Sequence, residues 1–154
     1  MTDTTRVTEA DLPELLSMVR GYCDFYEVAP ADDALLAISR ALIADPDREG
    51  VQLIARSEEG EAVGFATLYW SWDTLVAARV GLMHDLFVIP SARGTGAADL
   101  LILACLEECR QHGAAKLGWQ TARENTRAQR VYERVGATRD EWIDYSLDVN
   151  PESS

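Results

Sequence analysis

Apolar positions along this chain follow two periods, and the change between them divides it. Leu12, Leu15, Leu16, Val19, Tyr22, Cys23 and Tyr26 share one face at helical spacing. Thr8 and Asp11 supply a cap for that helix, and Pro13 is tolerated in its first turn. Pro30 breaks it. Asp32 opens a second helix with Leu35, Leu36, Ile38, Leu42 and Ile43 inward, closed at Asp45-Pro46-Asp47. Ahead of both, Arg6-Val7-Thr8 reads as the end of a short strand.

From Val51 the period shortens. Residues 51–56 and 63–72 read as strands joined by a turn at 57–60, which makes a hairpin. A loop at Asp73-Thr74 leads to a strand beginning near Leu82 and ending in Leu86-Phe87-Val88-Ile89, where Pro90 stops it. A turn at 93–98 then opens an apolar helix. That helix ends with Arg110 and His112 in its last turn and Gly113 just beyond. A strand at 115–120, a helix at 125–135 closed by Gly136, and a strand at 142–149 complete the order, with a short strand near Thr138. A helix that crosses between two strands of one sheet makes them parallel. The pattern therefore predicts an α/β (α+β) fold, a mixed central sheet of six to seven strands flanked by about four helices. The length suits one domain over residues 1–150, followed by a polar tail at 151–154.

The turn at 93–98 carries the first candidate chemistry. Arg93-Gly94-Thr95-Gly96-Ala97-Ala98 lies between a strand and a helix, a place where unpaired backbone N–H groups face an anion. Gly94 and Gly96 permit dihedrals that a Cβ forbids, and Arg93 adds a fixed charge. No Lys stands nearby for a P-loop, and Asp99 occupies the third glycine of a dinucleotide fingerprint. What fits is R/Q-x-x-G-x-G/A. A second pattern, N-x-x-A-x-x-x-Y-x-x-x-G-A, runs without gaps through Asn125, Ala128, Tyr132, Gly136 and Ala137.

Together with the element order, these motifs resemble the GNAT superfamily of acyl-CoA N-acyltransferases over nearly the whole chain. The resemblance implies a GNAT fold, acetyl-CoA as cosubstrate and direct acetyl transfer to an amine. It further implies that the backbone of Leu86, Phe87 and Val88 pairs with the pantetheine arm, and that the 93–98 loop holds the pyrophosphate. Asn125 would contact the cofactor, and the Tyr132 hydroxyl would protonate the departing thiolate. A thiol of ordinary pKa ~8.5 leaves more readily when a proton arrives as the bond breaks. Arg127 and Arg130 are candidates for the CoA phosphates. His84, beside the cofactor-binding segment, is the candidate base, because its ordinary pKa of ~6.5 suits proton transfer near neutrality.

Locally the chain is most similar to polyamine (spermidine/spermine-type) acetyltransferases. Their acid-Asp-aliphatic-aromatic-Val strand stands here as His84-Asp85-Leu86-Phe87-Val88, and Tyr69-Trp70-Ser71-Trp72 is similar to their aromatic hairpin. The departure is His84, where they carry a carboxylate.

Charge narrows the partners. The formal net charge is −12, which argues against nucleic acid and favours a cationic acceptor. It is uneven: residues 1–62 hold 14 acidic and 5 basic side chains, the rest 12 and 9. Asp24, Glu27, Asp32 and Asp33, with Asp85 and Trp70, are the candidate acceptor-binding residues. The acceptor so implied is the primary amine of a polyamine-like or amino-acid-like cation. A protein lysine or N-terminal acetyltransferase, or a non-catalytic acyl-CoA sensor, is the alternative. The composition, 47% hydrophobic with no long apolar run and no leader-like N-terminus, leads us to expect a cytoplasmic protein that does not enter a membrane. A homodimer is the family expectation. Three unpaired cysteines argue against a disulfide framework. Cys105, Cys109 and His112 share a helix face, but we read the thiols as small core residues and expect no metal.

Overall fold

In the computed structural model, which describes residues 2–150, five strands pair in chain order. They are β1 (Asp3–Arg6), β2 (Gly50–Arg56), β3 (Ala62–Asp73), β4 (Ala78–Val88) and β5 (Leu117–Gly118). The first four are antiparallel, and β5 runs parallel to β4. That one change of direction follows from the intervening helix α3 (Ala97–His112). α1 (Leu12–Phe25) and α2 (Asp32–Ala44) precede the β2–β3 hairpin, and α4 (Thr126–Arg134) follows β5.

The sheet is covered on both sides, which explains why β2 and most of β3 read as continuous apolar runs rather than alternations. On the α1 side Leu12, Leu15 and Met18 pack with Ile54 and Phe65. On the α3 side Leu101, Ile102, Cys105 and Cys109 pack with Leu53, Leu68 and Met83. Burial pushes the Cys105 thiol up to about 12 and the Cys109 thiol up to about 11, so neither is a reactive thiolate near neutrality. Ion pairs fasten elements across these layers. Arg56 of β2 reaches Asp11 at 2.7 Å ahead of α1, and Arg134 of α4 reaches Asp99 of α3 at 2.7 Å.

The expected sheet of six to seven strands is too large for what forms. Residues 142–149 alternate as a strand would, yet they pair with nothing. Trp142, Tyr145 and Leu147 are 81%, 92% and 95% exposed. Alternation makes a strand possible, but a strand forms only against a partner edge, and β5 is two residues long rather than the expected six. The short strand near Thr138 is likewise absent. The 151–154 tail lies outside the described residues.

Leu101 is fully buried in the middle of the α3 face. Leu101→Ala is expected to lower stability by about 2–5 kcal/mol in urea unfolding. A loss well under 1 kcal/mol would contradict this account of the α3 side.

Candidate active site

β4 and β5 share a register of only two pairs, Gly81 with Leu117 and Leu82 with Gly118. Beyond them the strands part, and the second half of β4 loses its neighbour. The ladder to β3 tells which groups face the gap. The Ile89 N–H donates to Val63 O at 2.9 Å, so Ile89, Phe87 and Asp85 turn their backbone groups toward β3. Leu86 and Val88 turn theirs toward the open edge. Arg93 Nε, donating to Val88 O at 3.4 Å, reaches that edge from the far end. Of the three residues expected to pair with a ligand backbone, Phe87 is thus committed to the sheet. Its ring packs against Tyr22 and Phe65.

The ladder shifts by one residue between Thr67 and Leu68, whose partners are Asp85 and Met83. His84 is the extra residue of this β-bulge, a device that bends a strand and re-aims its side chains. The Tyr22 hydroxyl faces the bulge and donates to His84 O at 3.5 Å. α1 comes close enough here that a Cβ on Gly21 would lie 3.1 Å from the Phe87 ring. A side chain there would press on that ring.

At the end of β4, Pro90 enters a single 3-10 turn and the chain reverses through Arg93–Gly96 into α3. Gly94 and Gly96 have φ of +81° and +89°, in the left-handed region, and a Cβ on either would meet nothing within 4 Å. The space in front of them is free. No side chain caps α3, so the first amides of a 16-residue helix point into that space beside Arg93. Thr95 Oγ1 donates to Ala92 O at 2.6 Å and fixes the turn. A ligand carrying phosphates fits this cradle, and a ligand with amide groups fits the open β4 edge that leads away from it.

Tyr132 lies across the gap on α4. Its ring stands edge-on to Trp119 at 5.2 Å, just past the end of β5. Burial raises the phenol above its ordinary pKa; the Thr121 hydrogen bond opposes this and Tyr26 adds to it. The group therefore keeps its proton through the neutral range. Asn125 caps α4, its Oδ1 accepting from the Ala128 N–H at 3.2 Å. Arg127 and Arg130 are exposed and make no ion pair among the described residues.

On the α1 side of the sheet His84 and Asp85 meet a group of aromatics. Tyr69 stands edge-on to the His84 ring at 5.4 Å, and Tyr22 to Tyr26 at 5.1 Å. Burial is the main cause raising the Tyr22 and Tyr69 phenols, and the Asp85 charge beside both adds to it. The sequence pattern placed Tyr22 and Tyr26 on a core-facing stripe. The only hint of another role was that such a stripe contained two hydroxyls.

Four expected acceptor-side residues lie elsewhere, are occupied or stand exposed in solvent. Trp70 is buried on the α3 side, where Nε1 donates to Pro46 O at 2.8 Å and the ring stacks on His112 at 3.9 Å. A strand alternates faces, so Trp70 and Tyr69 cannot both line one side. Asp32 is ion-paired with Arg20. Asp24 and Glu27 are exposed at the end of α1. His112 is engaged by Trp70, and no cluster of His, Cys, Asp or Glu that could hold a metal occurs among the described residues. A separate hollow of about 350 Å³ lies at the other end of α1, between Leu12, Leu16 and Leu36. Its charged rim, Glu9 and Arg40, is self-paired at 2.8 Å.

Comparison with known proteins agrees with this geometry. The model of the acetyltransferase (GNAT) family matches residues 15–137. The uncharacterized N-acetyltransferase YhfO of Bacillus subtilis (strain 168) is 33% identical over 141 residues, covering 91% of this chain and 93% of the relative. The aminoglycoside N(6')-acetyltransferase type 1 of Stenotrophomonas maltophilia is 27% identical over 118 residues, 75% of each chain. Among solved structures, a probable acetyltransferase superposes with a TM-score of 0.83 at 25% identity, covering 96% of this chain and 98% of its own.

The cap assigned to Asn125 has a direct consequence. Asn125→Ala should cost about 0.5–2 kcal/mol in urea unfolding, and Asn125→Ser should restore most of it. Equal stability of all three proteins would show that Asn125 is not a cap.

Proposed function

Because this chain belongs to the GNAT family and is an acetyl-CoA-dependent N-acetyltransferase, we propose that it acetylates the primary amine of a small polycationic acceptor. The observation that carries this reading is the single gap bounded by the open β4 edge, the uncapped α3 start and Tyr132. Polyamine-like and amino-acid-like acceptors were expected from the sequence, while the relative from Stenotrophomonas maltophilia is named for aminoglycosides. All three present a primary amine on a cationic framework, which suits the acidic N-terminal half.

Bound acetyl-CoA supplies the acetyl group as an activated thioester. The amides at the start of α3 and the Arg93 guanidinium hold its pyrophosphate, with Gly94 and Gly96 leaving the approach free. Arg127 and Arg130 serve its remaining phosphate as exposed cations. The N–H groups of Leu86 and Val88 bind along the pantetheine, and one of them stabilises charge that develops on the acetyl oxygen. Over one turnover the acceptor nitrogen gives up two protons. His84, set at the bulge, passes them toward solvent. Tyr132 delivers one proton to the departing sulfur and is refilled from water. A phenol held above its ordinary value by burial is suited to that task, since it is protonated whenever it is needed.

Acetyl-CoA should raise the melting temperature of the wild-type protein. Gly96→Asp puts a carboxylate in the cradle and should abolish that rise while the apo protein stays folded. No shift for the wild type would overturn the assignment of the cradle.

Tyr132→Phe keeps the ring packing and should lower kcat by ~10²–10⁴ with acetyl-CoA affinity unchanged. The sign of the pH effect follows from the raised phenol. Wild-type kcat should stay level past the ordinary tyrosine value of ~10 and fall only above it. A mutant with wild-type turnover would return Tyr132 to a packing role.

A further inference from the structure

A protein that works with acetyl-CoA exposes its own nucleophiles to an acylating thioester. Of the 14 basic side chains in this chain, Lys116 is the only lysine, and all the others are arginine. A guanidinium stays protonated in a protein and does not attack a thioester. The three cysteines are buried, and burial pushes the thiols of Cys105 and Cys109 up to about 12 and about 11. Among the side-chain amines and thiols of the described residues, Lys116 alone reaches water freely, with its side chain 56% exposed.

The same residue has a structural duty. Lys116 directly precedes β5 and sits where the β4–β5 ladder starts. The Ala115 N–H donates to Arg79 O at 2.8 Å, and the Gly81 N–H donates to Lys116 O at 2.9 Å. Lys116 Nζ pairs with Asp73 Oδ2 at 3.2 Å. Asp73 is the last residue of β3, and its Oδ1 accepts from the Leu75 N–H at 2.9 Å in the turn toward β4. The Leu75 amide and then Lys116 hold the Asp73 carboxyl below its ordinary range, so it is ionised at neutral pH. The β2 ladder ends at Gly50 opposite Tyr69, so the tip of the β3–β4 hairpin projects past β2. Lys116 ties that tip to the start of β5.

This tie stands beside a weak junction. β5 has two register pairs with β4, Gly81 with Leu117 and Leu82 with Gly118, and they close one end of the gap. We propose that Lys116 is an acetylation site, modified on Nζ by acetyl-CoA, and that the modification loosens this closed end. The neutral amine attacks the thioester carbonyl. A C–N bond forms, the C–S bond breaks, and the proton released by nitrogen passes to the departing thiolate, which leaves acetyllysine and coenzyme A. The strand from Leu82 to Leu86 is about 13 Å long, so Lys116 does not reach an acetyl group bound in its own gap. The donor is acetyl-CoA from solution.

The amide that replaces the ammonium is neutral and forms no ion pair with Asp73. β5 then loses its tie to the hairpin, and the two-pair junction opens more often. A gap with a loose closed end holds a ligand between its strands less tightly, so an excess of acetyl-CoA lowers the protein's hold on it. That last consequence rests on the reading of the gap as the cofactor site. The modification itself does not.

Incubation of the whole protein with millimolar acetyl-CoA at mildly alkaline pH, followed by intact-mass measurement and peptide mapping, tests the site. Wild type should gain an acetyl group on Lys116, and Lys116→Arg should gain none on any side chain. The rate should be the same in Tyr132→Phe, and a slower rate there would overturn solution acetyl-CoA as the donor. Lys116→Gln removes the charge as acetylation does. It should speed amide exchange at Gly81 and weaken acetyl-CoA binding, each roughly two- to fivefold, as suits the loss of one half-exposed ion pair. Lys116→Arg, which keeps the charge opposite Asp73, should match wild type in both. An unmodified Lys116 in wild type, or Gly81 exchange in Lys116→Gln equal to that of wild type, would overturn the proposal. Failure of acetyl-CoA to bind wild type at all would instead bring down the cofactor reading of the gap.

Discussion

The parting of β4 from β5 is the constraint on which the rest depends. Two register pairs hold the strands together, and beyond Leu82 and Gly118 the ladder ends. Each backbone N–H released in this way must find another partner. A donor left dry forfeits about 1–3 kcal/mol. At Leu86 and Val88 the released groups face the open edge of the gap, where water or a ligand with its own amides can reach them. Everything else at the site is arranged around that gap. The bulge at His84 bends β4 at its mouth, the 93–98 turn places a helix start at one end, and α4 sets Tyr132 opposite.

The separation of the two sheet faces divides labour in the same way. The α3 side is a packed apolar core that holds Trp70, Cys105 and Cys109. On the α1 side the core gives way to hydroxyls and one carboxylate where β4 bulges. One strand therefore works on three fronts. Its backbone opens onto the gap, its α3-side residues anchor the fold, and its α1-side residues meet the tyrosines of α1 and β3.

Much of this was legible in the sequence because it depends on local pattern. Helical spacing located α1 and α2, an apolar run with its end signals located α3, and glycines at 94 and 96 marked a turn whose φ values are indeed positive. The gapless pattern from Asn125 to Gly136 placed Tyr132 on a short helix. What stayed hidden depends on partners rather than pattern. Residues 142–149 alternate like a strand, but no edge receives them. Trp70 and Tyr69 are adjacent in sequence and opposite in space. The acids of residues 1–62 could be counted, yet only the structure shows that Glu9, Asp11, Glu14 and Asp32 are paired with arginine. Asn125 illustrates a different limit, since a cap and a cofactor contact place the same residue type at a helix start.

If the gap takes a ligand backbone, the amides of Leu86 and Val88 are vacant donors in the free protein. Amide hydrogen exchange followed residue by residue by NMR, with and without acetyl-CoA, measures this directly. The account predicts fast exchange at Leu86 and Val88 in the free protein and strong protection of both on binding, while Phe87, already bonded to β3, is slow throughout. Protection of Leu86 and Val88 before any ligand is added, or exchange there that acetyl-CoA leaves unaltered, would contradict it.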